Sequence, residues 1–71
     1  MEEIMRKLPH AHADMFRRLF KQIENAESDD MKSRIGCYVR GYAWALHNQG
    51  LLTLDEYDEV TNPARYFVEV A

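Results

Sequence analysis

Apolar positions recur along this chain with the period of a helix. Between Pro9 and Ala26, at about 100° per residue, Met15, Phe16, Leu19, Phe20, Ile23 and Ala26 form one stripe. His10, Asp14, Arg17, Arg18, Lys21 and Glu24 fall on the other side. Pro9 suits the first helical position, where its missing N–H costs nothing. From Asp29 to Gln49 the periodicity is strongest. Met31, Ile35, Tyr38, Val39, Tyr42 and Leu46 recur at helical steps and predict a second amphipathic helix with these residues inward.

The punctuation between these runs is equally legible. Glu27-Ser28-Asp29-Asp30 reads as a turn and cap, with carboxylates favoured by the dipole at a helix start. Gly50 predicts a left-handed stop, after which Leu51 packs back on Leu46. Thr53 and Glu56 form a capping box, and Leu52 with Tyr57 a hydrophobic staple. A third helix follows from about Leu54 to Thr61, with Tyr57 and Val60 inward. Asn62-Pro63 ends it, because the residue before proline avoids the helical region. Residues 1–8 carry a mixed signal: Glu2 and Glu3 suit a helix start, and Pro9 interrupts. Residues 63–71 read as a short fourth helix or as an extended segment with Tyr66, Val68 and Val70 on one face. The favoured arrangement is an apolar tail folded back over the bundle. The expectation is one all-α domain over residues 1–71: a bundle of three principal helices, about 9–26, 29–49 and 54–61, with a short C-terminal segment.

Size makes such a bundle marginal. For 71 residues, the unfolded chain exposes roughly 12,000 Å² and the folded one roughly 4,600 Å². Apolar burial then contributes ~108 kcal/mol. Conformational ordering costs about 107 kcal/mol. Chains this short usually add disulfides, a metal or a partner. Cys37 is the only cysteine, so no intrachain disulfide forms, and no paired Cys/His spacing suggests zinc. No cofactor or metal is expected. A partner protein, or a copy of the chain itself, is the remaining route.

Charge narrows the choice of partner. The net charge is −3, against general affinity for nucleic acid, which needs excess Lys and Arg. The charge is also divided. Residues 51–71 hold one Arg and five acids, and Asp55, Glu56, Asp58 and Glu59 make an acidic face on the third helix. Arg17, Arg18 and Lys21 make a small basic group on the first. Such groups are either solvated surface or complementary docking patches. No apolar run is long enough to cross a membrane, and the N-terminus Met-Glu-Glu-Ile lacks an apolar signal core. With a free thiol, these features fit a cytoplasmic protein.

Conventional catalytic chemistry is thin. His10 and His12 point away from each other on a helix. His12 falls within an apolar stripe, as a partly buried, hydrogen-bonded ring would, and His47 sits where a cation meets a helix C-terminus favourably. Cys37 as a nucleophile needs a base or cation beside it; as a helical cysteine it reads as a small apolar filler. No nucleophile elbow, zinc-protease helix, phosphate loop or calcium loop occurs. Neither an enzyme nor a small-molecule substrate is expected.

The second helix carries a narrower seam. Cys37, Gly41, Trp44 and Asn48 lie within about 60° of one another. Gly41 in a helix interior costs about 1 kcal/mol relative to alanine, which close approach by another element would explain. Trp44 is the expected exposed anchor, and Arg40 adds a residue type enriched at binding hot spots.

Arg40-Gly41-Tyr42 with Ala45-Leu46, then Gly50-Leu51-Leu52-Thr53, then Glu56-Tyr57-Asp58-Glu59-Val60 resembles a pattern in small helical proteins of phages, prophages and other mobile elements. The likeness covers residues 38–60. It implies a stoichiometric inhibitor or regulator of host machinery, of the anti-CRISPR or other anti-defence type, and transfers no functional residue. The expected function is a non-enzymatic protein–protein interaction module. The alternative is a small helical nucleic-acid-binding regulator. It would need a basic recognition helix, and the second helix offers only Lys32, Arg34 and Arg40.

Overall fold

A computed structural model describes the backbone of residues 1–70 and the side chains of residues 1–62. The chain forms α1 (Glu2–Lys7), α2 (His10–Asn25), α3 (Asp29–Asn48) and α4 (Leu54–Val70). The all-α bundle of three principal helices stands, with a short helix added in front. In α1, Glu2 and Glu3 occupy the first turn and Arg6 and Lys7 the last, each sign at the end the dipole favours. Leu8 is extended, as the residue before a proline prefers. Pro9 stands at the N-cap, one place earlier than expected, and its carbonyl accepts from the His12 and Ala13 N–H groups at 3.0 and 3.1 Å.

The caps form as their residues dictate. Ser28 Oγ accepts from the Met31 N–H at 3.2 Å. At the other end of α3, Gly50 takes φ +80°. Its N–H donates to the His47 carbonyl at 3.0 Å, and the Leu51 N–H to the Leu46 carbonyl at 2.9 Å, the paired bonds of a Schellman stop. Three residues later the Thr53 N–H donates to Glu56 Oε1 at 2.8 Å, and the Glu56 N–H to Thr53 Oγ1 at 3.1 Å.

Phe16, Ile23, Val39, Leu46 and Val60 form the centre of the core, with Ile4, Met5 and Leu8 of the α1 segment closing one side. Phe16 stacks on Phe20, centroids 6.1 Å apart, and meets Tyr42 edge-on at 5.1 Å. Thr61 is buried, and its hydroxyl donates to the Tyr57 carbonyl at 2.9 Å. The surface of 4826 Å² is close to the roughly 4,600 Å² that size alone implies.

Two expectations need correction. The third principal helix does not end at Thr61; it runs through Pro63 to Val70. The proline removes one N–H···O=C link, and the contact of α4 along α3, the most extensive in the bundle, outweighs that loss. Residues 63–70 are therefore helical, not extended. Whether their apolar side chains, Tyr66, Val68 and Val70 among them, fold back on the bundle lies outside the described residues.

The second correction concerns the rotation of α3. Its buried side runs through Ile35, Gly36, Val39, Ala43 and Leu46. Met31 and Tyr38, expected inward, are 50% and 68% exposed. The cause is that α2 and α4 flank α3 from two sides. The sector they share holds small residues that admit close packing, and large side chains are left at its margin.

Candidate functional site

Cys37, Gly41, Trp44 and Asn48 all lie exposed, opposite the buried side of α3. Among the described residues, no other element lies over Cys37, Gly41 or Asn48. A Cβ built on Gly41 would meet nothing within 4 Å, so the close approach expected there is not made by another part of the described chain. Gly41→Ala should therefore stabilise the fold by about 1 kcal/mol through helix propensity. Urea denaturation of the variant checks this.

Cys37 and Gly41 instead form the floor of an open groove of about 430 Å³ between α2 and α3, walled by Met15, Leu19, Tyr38 and Tyr42. Leu19 and Tyr42 pack against the core as expected, whereas Met15 and Tyr38, also expected inward, are exposed. The overlooked signal is that α3 carries more large apolar residues than a single buried side accommodates. Tyr42 forms the inner wall: it hydrogen-bonds His12, and burial pushes its phenol above the usual value of 10.0.

At the other margin of this face, Trp44 is half exposed, at 48%. Its ring meets Tyr57 of α4 edge-on at 5.3 Å and His47 at 5.3 Å. The His47 Nδ1–H donates to the Leu52 carbonyl at 2.9 Å, which turns that ring toward the corner between α3 and α4. Trp44 is thus held against two other rings while half of it stays in water. Arg40 is partly buried on the same helix.

The two charged patches fare differently. Much of the acidic face is used within the chain. Lys7 Nζ donates to Glu56 Oε1 at 2.6 Å, and the Met1 amine lies 3.5 Å from Glu59. Asp55 and Asp58 are exposed, and Asp58 too has a partner. Of the basic group, Arg17 lies 3.7 Å from Glu2 and 4.0 Å from Asp14. Arg18 and Lys21 are exposed, with no acidic partner among the described residues. α1 therefore bridges α2 and α4 electrostatically as well as through its apolar side.

The Lys7 ammonium, helped by the Thr53 backbone N–H, holds the Glu56 carboxyl below its usual 4.5. A lowered folded-state value stabilises the fold above the unfolded carboxyl's pKa, and that contribution fades as pH falls through the folded value. Glu56→Gln should therefore flatten the loss of stability with acid below about pH 4.5. Urea midpoints across the acid range measure the slope.

The chemistry otherwise available is limited. Cys37 is exposed, while the nearby Arg34 guanidinium lies 3.5 Å from Asp30. His10 pairs with Asp14 at 3.2 Å on the outer side of α2. Among the described residues, no three His, Cys, Asp or Glu side chains gather as a metal site, and no helix is long and apolar enough to cross a membrane. The arrangement can bury apolar surface against something else. No known family model, curated protein or solved structure matches this chain.

Proposed function

We propose that this chain is a small non-enzymatic protein-binding module that docks through the outer face of α3 and the α2–α3 groove. The observation that carries the reading is the exposure of Tyr38 at 68% beside a groove walled by Met15 and floored by Gly41. Aromatic side chains left in water around a concave apolar site are the composition of a binding hot spot. The small size of the core supports the same reading, since a bound partner adds stability that grows with the logarithm of its affinity. The likeness of residues 38–60 to phage and mobile-element proteins supports a partner in host machinery, with inhibition of a defence system as the specific form. The free thiol at Cys37 fits action in the cytoplasm.

Capture experiments with the wild-type chain and with a Met15→Ala/Tyr38→Ala variant test the reading. The expected result is a partner enriched by the wild type and lost with the variant, whose circular dichroism stays helical. A partner retained at full strength by the double variant would move the docking site elsewhere. Arg6→Ala, on exposed α1 surface, should leave capture unchanged.

A further inference from the structure

The charges beside the α2–α3 groove are of one sign. On a helix, surface neighbours lie three or four positions apart. Taken this way from the six residues that line the groove, the charged neighbours are Arg18 on α2 and Arg34 and Arg40 on α3. His12 is a further neighbour, hydrogen-bonded to Tyr42. No Asp or Glu stands at any of these positions. Arg18 is exposed and Arg40 partly buried, and neither has an acidic partner among the described residues. Arg34 lies 3.5 Å from Asp30, but the two side chains are 76% and 79% exposed, so that pair exchanges readily for another. Asp14, further round α2, is engaged with His10 and Arg17. The local sign thus opposes the net charge of −3.

We infer that the partner presents to this groove an amphipathic helix whose apolar anchors are flanked by Asp or Glu. The inference rests on the docking reading and names the partner's chemistry. The groove is open along its length. That suits a segment laid across it better than a small molecule, which needs most of its surface buried. Each wall, Met15 to Leu19 and Tyr38 to Tyr42, spans one helical turn, about 6 Å. Two apolar anchors one turn apart on an incoming helix match that length. Gly41 has open space above it, so the incoming backbone can come close there. Carboxylates beside the anchors then meet Arg18 on one side and Arg34 and Arg40 on the other. Tyr38, 68% exposed, would bury its ring against the anchors and keep its hydroxyl at the rim.

Fluorescence anisotropy of the full chain with labelled peptides tests this. The probe is an alanine-rich helix of about 15 residues, with two leucines one turn apart and glutamates beside them. Its control carries lysine at the glutamate positions. The glutamate peptide should bind with a dissociation constant on the order of 10 μM, weakening as salt is raised. It should exceed the lysine peptide by at least about tenfold. The net negative charge of the chain favours the lysine peptide, so the opposite order can come only from the groove. Arg18→Glu/Arg34→Glu should reverse the preference while circular dichroism stays helical. Gly41→Leu fills the groove and improves helix propensity. Binding should then fall at least about tenfold while the melting temperature holds or rises. Equal binding of the two peptides, no binding at about 1 mM, or indifference to Gly41→Leu overturns the inference. A chain that sediments as a dimer and excludes the peptide puts a second copy in the groove and overturns it too. So does binding to anionic lipid vesicles in place of the peptide. If neither peptide binds yet Met15→Ala/Tyr38→Ala still loses a captured partner, the acidic helix fails and the docking face stands.

Discussion

Phe16→Ala is expected to leave the chain largely unfolded at 37 °C. The ring has no exposed surface, and it is held between Phe20 and Tyr42 where α2 meets α3. Removing such a ring costs about 3–5 kcal/mol, from lost transfer energy and from the cavity left behind. A domain of this length has a total stability of only about 4–10 kcal/mol. At about 4–8 °C per kcal/mol for chains of this size, the melting midpoint should fall by more than about 12 °C. The neighbouring Met15 provides the contrast. It is 40% exposed, so Met15→Ala should cost less than about 1 kcal/mol. Thermal melts followed at 222 nm separate the two. If they cost the same, α2 is turned differently from the arrangement described.

Ala43→Asp should be as damaging as Phe16→Ala. Ala43 is fully enclosed on the inner side of α3, and a carboxylate there would lie among Val39, Leu46 and their apolar neighbours. An unpaired buried charge costs several kcal/mol. Ala45→Asp, two residues on and exposed, should move stability by no more than about 0.5 kcal/mol. Urea denaturation of the pair measures the rotation of α3 about its own axis. Equal effects would mean that the buried sector is not centred on the Val39, Ala43 and Leu46 side.

That rotation is where the sequence was least informative. Helix existence and helix ends were legible because their causes are local. A hydroxyl at Ser28, a glycine at 50 and the Thr53/Glu56 pair act within one turn of their own positions. Which side of α3 faces inward is decided by the directions from which α2 and α4 arrive, and no three-residue pattern records that. Summing hydrophobicity around the helix favoured Tyr38 and Met31; packing favoured Gly36 and Ala43, whose contribution is closeness rather than area. Pro63 misled for a similar reason, since its penalty is local and the contact that overrides it is tertiary. The ion pairs of Lys7 with Glu56 and of the Met1 amine with Glu59 join opposite ends of the chain and had no sequence signal. The outer seam of Cys37, Gly41 and Trp44 was visible in the sequence. The exposure of Met15 and Tyr38 beside it was not, because they share their composition with a core.

The corner between α3 and α4 bears on the order in which this protein folds. Its stop and its restart are held by bonds among residues 46–57 alone, so closing it needs no distant part of the chain. Short loops close early and at small entropic cost. The α3–α4 hairpin should thus assemble first and offer a template on which the amino-terminal half condenses. Fraying would then begin at α1, the shortest of the helices.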